Sequence, residues 1–231
     1  MQTLGELRIR EYGGGVDEKS DSLVVVLMHG FGAPGDDLVP LAEAMRLPQT
    51  VRYIFPEAPE EAGLGGRAWW QLDPSRIERM MRNQAPMDLS GEDPAGMQKA
   101  REMIVRFLDE VETHFAPGEK IVLGGFSQGA MLACDVAFST DRPLAGLLLF
   151  SGGLIATDRW ASGMHARKRL SVFQSHGESD PILSYAMAKR LRDRMQEHLL
   201  DVRWISFQGG HGIPPVVLYD AARFLKECAR V

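Results

Sequence analysis

Ser127 stands between Gly125 and Gly129 in the segment "GGFSQGAML". The spacing G-x-S-x-G lets a serine occupy a sharp turn with no side chain on either flank to obstruct a carbonyl. An alcohol is a weak nucleophile at neutral pH, so it needs a base beside it and an acid to orient that base. Six histidines compete for the first role. His114 and His198 fall inside long helical patterns, and His165 lies in a basic stretch. His29 and His176 each precede a glycine just after a strand, which suits a turn. His211 differs: it sits in the glycine-rich "QGGHGIPP", between the last strand pattern and the last helix pattern. Such a loop can carry an imidazole over the edge of a sheet. Asp180, in "SHGESDPIL", is the candidate acid. Taken alone, Ser127 and Asp180 could each be a helix N-cap.

Together they are more specific. Ser127, Asp180 and His211 occur in the chain order Ser, Asp, His, each after a separate strand pattern. That is the order and placement of an α/β-hydrolase triad. The turn "MHGFG", Met28–Gly32, ends the first strong strand pattern. In that arrangement the main-chain amides of Phe31 and of Gln128, the residue after the nucleophile, form the oxyanion hole.

These residues need a scaffold. Near-continuous apolar runs at Leu23–Met28, Val51–Phe55, Ile121–Gly124, Leu144–Phe150, Leu170–Gln174 and Val202–Phe207 read as strands buried on both faces. Leu7–Tyr12 reads as an antiparallel edge strand. Helical patterns fall between them, at Asp37–Leu47, Pro94–Phe115, Gln128–Ser139, Ile182–Leu199 and Pro215–Cys228. The alternation predicts an α/β fold, a mostly parallel central sheet with helices on both faces, as one domain over residues 1–231. The stretch from Pro56 to Asp93 has no clean periodicity, and loops of that length are usually functional.

Composition narrows the function. The chain has 231 residues, 45% of them apolar, and a net charge of -5. This acidic balance argues against nucleic acid as a partner, since phosphate binding needs a basic excess. The basic residues between Arg159 and Arg169 read as solvated surface. Cys134 and Cys228 are far apart, without metal-ligand spacing, and read as small buried side chains. The N-terminus has no apolar signal core, and the longest apolar run, "LVVVLM", is too short to span a bilayer. A cytoplasmic protein without stable membrane insertion is expected; a homodimer is left open.

The segments "LMHGFGAPGDDL", "FPEAP", "GRAWW", "GGFSQGAML", "SHGESDP" and "GGHGIP" resemble those of the phospholipase/carboxylesterase group of serine hydrolases, which includes the acyl-protein thioesterases. The resemblance runs from His29 to Pro214. It implies an α/β-hydrolase fold, with Ser127 as nucleophile, His211 as base and Asp180 as its orienter. It also implies that the loop with Arg67, Trp69 and Trp70 lies beside the acyl-binding cleft. Leu64, Trp69, Trp70 and the methionines Met80, Met81 and Met87 could form an apolar acyl groove, or a satellite core beneath a long loop. One tryptophan against the core and the other as substrate wall is the expected division. The implied activity is hydrolysis of carboxylic esters, short-chain esters and lysophospholipids alike, or of small-molecule or acyl-protein thioesters, with no cofactor and no metal. The rival reading, a binding protein that keeps the fold, would be favoured by loss of a triad residue, and all three are present. The sequence departs from the family's usual pattern in "RAWWQLD", in "ILS" after the Asp-Pro, and in the polar stretch Ser75–Asp93. These departures bear on acyl-chain specificity.

Overall fold

The structure is a computed structural model. It describes residues 2–14, 23–75, 78, 82, 86–115 and 120–229. The chain runs β1 (Gln2–Leu4), β2 (Leu7–Gly13), β3 (Leu23–Met28), α1 (Val39–Met45), β4 (Val51–Pro56), β5 (Glu60–Glu61), β6 (Arg67–Ala68) and α2 (Ala95–Phe115). It continues β7 (Ile121–Phe126), α3 (Gln128–Ser139), β8 (Gly146–Phe150), α4 (Thr157–Ala166), β9 (Ser171–Gly177), α5 (Tyr185–Glu197), β10 (Asp201–Phe207) and α6 (Pro215–Cys228). Eight strands form one sheet in the order β1-β2-β4-β3-β7-β8-β9-β10, and β5 pairs with β6 in a separate hairpin. The six strands from β4 to β10 are mutually parallel. This is an α/β-hydrolase fold.

Every residue of β3 is buried, because its alternate side chains enter two different cores. Val24, Val26 and Met28 join α2, α3, α4 and α5 on one face. Leu23, Val25 and Leu27 join α1 and α6 on the other. The unbroken "LVVVLM" is the sequence signature of that double burial.

Four expectations change. Strand β2 is antiparallel to β4 but is not the edge, since Gln2–Leu4 turns back at Gly5 (φ 57°) and pairs outside it. Three residues are too few to show a period. The helix α4 has no counterpart in the sequence pattern. Its sequence "TDRWASGMHA" is polar, but Trp160 and Met164, one turn apart, are fully buried and dock it on the core. The basic run that starts there is also less solvated than its charge implies. Arg159 pairs with Asp93 and with the fully buried Asp135, and Arg167 donates to the carbonyls of Ala137 and Thr140. Finally, α5 begins at Tyr185 rather than Ile182, because the preceding residues form a turn around Asp180. Cys134 and Cys228 are free and buried. No helix among the described residues is long and apolar enough to cross a membrane.

Candidate active site

The strand register brings the chemical residues to one edge. Met28 lies opposite Gly125, Phe126 opposite Phe150, and Gly177 opposite Phe207. Strands β3, β7, β8, β9 and β10 therefore end together. The chemical residues stand just past these ends: His29–Phe31 after β3, Ser127 after β7, Ser151 after β8, Asp180 after β9 and His211 after β10. Parallel sheets place their sites at this carboxyl edge.

Ser127 has φ 54° and ψ -114°, a conformation that costs roughly 1–3 kcal/mol for a residue with a side chain. The surroundings hold it there. Its amide donates to the Phe150 carbonyl at 2.9 Å, and its carbonyl accepts from Met131 at 3.1 Å. The flanking glycines have a physical reason. A Cβ on Gly125 would lie 2.3 Å from the Met28 carbonyl oxygen, and one on Gly129 only 2.0 Å from the same atom. The turn thus packs directly on the end of β3. Although Ser127 precedes α3, its hydroxyl makes no capping bond, so it is not spent as an ordinary N-cap.

Asp180 and His211 meet at 2.6 Å, Nδ1 of the imidazole to Oδ2 of the carboxylate. The other oxygen, Oδ1, accepts from the amides of Ile182 (2.8 Å) and Leu183 (3.0 Å). The carboxylate so serves as turn anchor and histidine partner at once. Burial pushes its pKa up, but bonds from His176, His211 and the Leu183 amide outweigh this and hold the carboxyl well below its usual range. The His211 loop is fastened to the Asp180 loop. Ser179 donates to the Gly209 carbonyl at 3.0 Å, Glu178 accepts from Ser206 and Gln208, and Ser151 Oγ donates to the Gly212 carbonyl at 3.1 Å. The ring of His211 packs 4.7 Å from that of Phe126, which is adjacent to Ser127.

His29 braces the turn that carries Phe31. The Ala58 amide donates to Nε2 at 3.0 Å, so the ring hydrogen is on Nδ1, which donates to the Gly30 carbonyl at 2.8 Å. Burial lowers its pKa and keeps it neutral. Gly32 and Ala33 pair with Arg67, joining this turn to the β5–β6 hairpin. The side chain of Gln128 fixes the same hairpin. Its Oε1 accepts from the Trp69 amide (2.9 Å), and its Nε2 donates to the Trp70 carbonyl (2.8 Å). The backbone amide of Gln128 begins α3 and has no intrahelical acceptor.

The two tryptophans depart from the expected division of labour. Both are 2% exposed, so neither stands out as a solvent-facing wall. Trp69 donates its indole N–H to the His29 carbonyl at 3.0 Å and packs on the His29 ring. Trp70 lies beneath the start of α2, where a Cβ on Gly96 would come within 2.6 Å of its own Cβ. Gln128 clasps both residues from below, and this removes the choice between them. Leu64 is the opposite case. It sits at the tip of the hairpin with φ 50° and is wholly exposed. Met87 bridges to Leu183, while Met80 and Met81 lie outside the described residues. A Cβ on Gly32 would meet nothing within 4 Å, so the space over the turn is open. A cavity of about 570 Å³ lies elsewhere, at the amino ends of β7–β10, lined in part by Ile121, Leu144, Val172 and Phe224. Among the described residues no His, Cys, Asp and Glu cluster is placed to hold a metal.

Sequence reasoning missed His176 and Ser151. His176 is not a turn residue but the penultimate residue of β9, fully buried, with Nε2 at 3.2 Å from Asp180 Oδ2. The signal available was its spacing, four residues before Asp180.

A family model described as phospholipase/carboxylesterase matches residues 16–229. An acyl-protein thioesterase 1 of Mycosarcoma maydis is 28% identical, over 87% of this chain and 88% of that protein. One of Candida albicans is 26% identical, over 90% and 93%. Among solved structures, esterase PE8 superposes with a TM-score of 0.78 at 26% identity, covering 96% of this chain and 99% of that one.

Proposed function

The chain belongs to the phospholipase/carboxylesterase family, and we propose that it acts there as a serine hydrolase, cleaving carboxylic esters through an acyl-enzyme on Ser127. The observation that carries this is the strained, uncapped Ser127 at a sheet edge shared with a 2.6 Å histidine–aspartate pair. In this reading His211 takes the Ser127 proton through Nε2, because Nδ1 is committed to Asp180. The alkoxide adds to the acyl carbonyl. The free amides of Gln128 and Phe31 stabilise the oxyanion, held in place by Met28, His29 and the hairpin. His211 then protonates the leaving group and activates the water that releases the acid. Asp180 stays ionised and balances the imidazolium. Leu64, exposed at the hairpin tip, is the side chain offered to the acyl chain, with Trp69 as a support behind the oxyanion turn.

A fluorophosphonate probe tests the core of this reading. It should label the wild-type protein and leave Ser127→Ala unlabelled. Absence of labelling in folded wild type, or labelling that survives Ser127→Ala, would overturn it. A thioester preference is the second reading, favoured by relatives that are named acyl-protein thioesterases. Matched oxygen esters and thioesters of one acyl chain separate the two, since the acyl-enzyme is common and only its formation differs.

A further inference from the structure

Asp180 has a fourth donor that the triad reading does not use. Oδ1 takes two backbone amides, and Oδ2 takes His211. Nε2 of His176 lies 3.2 Å from the same Oδ2 and 3.1 Å from the Leu183 carbonyl. Both neighbours of Nε2 are acceptors, so this nitrogen carries the ring hydrogen and shares it between them. Nδ1 is then a bare acceptor, and it is buried with no partner among the described residues. An imidazole with one unsatisfied nitrogen is a costly way to fill a fully buried position. An apolar residue would fill it without that cost. What only the imidazole supplies here is the N–H directed at Leu183 and Oδ2.

We propose that His176 is a positioning residue for the triad: its Nε2–H holds Asp180 Oδ2 in the rotamer that meets His211 and draws off part of the charge His211 would otherwise feel. The inference rests on the triad reading given above. Two histidines compete for one oxygen, at 2.6 Å and 3.2 Å. The shorter bond orients the base, and the longer limits how strongly the carboxylate stabilises its imidazolium. Taking His176 away hands the full charge to His211, which makes the imidazole more basic. Neutral His211 is the active form, so the acid limb of kcat/KM should then move to higher pH. The other groups facing this pair are few. Tyr185 of α5 has its ring 6.3 Å from that of His176, and Glu178 is engaged with Ser206 and Gln208.

The test is the pH profile of kcat/KM for one activated ester, across wild type, His176→Phe, His176→Gln and Asp180→Asn. His176→Phe fills the space without a donor; the acid limb should move to higher pH. His176→Gln can place an amide N–H near the Nε2 position and should return the limb toward wild type. A purely structural residue would change the fraction of active protein and leave the limb in place. An unmoved or lowered limb in His176→Phe, or no difference between Phe and Gln, overturns the proposal. A second measurement needs no variant. In wild-type protein, imidazole ¹⁵N spectra should show His176 as the Nε2–H tautomer, with shifts that respond when His211 titrates. The Nδ1–H tautomer, or shifts blind to His211, overturns it equally. Asp180→Asn keeps the two readings apart. Wild-type activity there would sink the triad itself, whereas a crippled Asp180→Asn beside an unmoved His176→Phe sinks this inference alone.

Discussion

The rings of Phe126 and His211 lie 4.7 Å apart, inclined at 48°. Phe126 is the last residue of β7, so the strand that presents Ser127 also supplies a wall for its partner. Phe126→Ala removes that wall while leaving the Asp180 bond. The imidazole should then sample unproductive orientations, lowering kcat about tenfold with little change in KM, since a misplaced base costs rate rather than binding. Phe126→Leu should recover part of the loss. Steady-state kinetics on a short ester would show it, and equal kcat in all three proteins would contradict it.

Ser127→Ala should stay folded and lose roughly 10⁴–10⁶ in kcat. Asp180→Asn should lose about 10⁴, because an amide cannot keep His211 in the required tautomer. Asp158 and Asp201 carry no contact with His211, and their Asn variants should behave as wild type. A crippled Asp158→Asn would mean that Asp180 has been misassigned.

Gln128 has two jobs on two parts of the residue. Its amide is assigned to the oxyanion, and its buried side chain holds Trp69 and Trp70. Gln128→Ala keeps the amide but leaves a buried N–H and carbonyl unpaired, at a cost of about 1–3 kcal/mol each. Chemical denaturation should register that loss, together with a fall in kcat as the hairpin slackens. Unchanged stability in Gln128→Ala would show that the hairpin does not need the clasp.

The hairpin has an inner and an outer side, and they should separate kinetically. Trp69→Phe deletes the bond to the His29 carbonyl, so it should lower kcat by a similar factor for every acyl-chain length. Leu64→Ser alters only an exposed tip. It should lower kcat/KM for long chains and spare acetate esters, in graded steps of ~1–3 kcal/mol at most per methylene. A panel of p-nitrophenyl esters decides; the reverse pattern would exchange the two roles.

Acid should reveal Asp180 in stability as well as in rate. Burial opposes ionisation of its carboxyl, but the donors from His176 and His211 outweigh burial and hold it below the ordinary range in the folded protein. A depressed pKa favours the fold above the unfolded value, about 3.9, and that contribution fades as pH falls below it. Asp180→Asn lacks the contribution at every pH. The stability gap between the two proteins should thus be wide near pH 6 and narrow towards pH 3 in urea titrations. A constant gap would contradict the assigned direction.

The parts legible in the sequence were those with a period or a fixed spacing. The double-faced strand "LVVVLM" and the turn "GFSQG" could be placed because burial and tight packing leave few residue choices at each position. Less was legible where partners lie far apart in the chain. Nothing local to Trp69 and Trp70 shows that the side chain of Gln128, nearly sixty residues later, takes them both. His176 reads as a turn residue because its strand runs three residues past the apolar pattern. For α4, two buried side chains in a polar decapeptide carry too little period to announce a helix.

The β1–β2 hairpin lies ahead of the family-matched residues 16–229, yet it covers one side of β4 along Ile9–Gly13. Without it, Val51–Pro56 would present a row of unpaired amides and carbonyls on an apolar strand, a template for edge-to-edge self-association. The outer strand that replaces this surface has only three residues, two of them exposed. The hairpin thus covers an edge open to self-pairing: a chain trimmed to its family-matched core would keep every residue assigned to the chemistry and bare the backbone of β4.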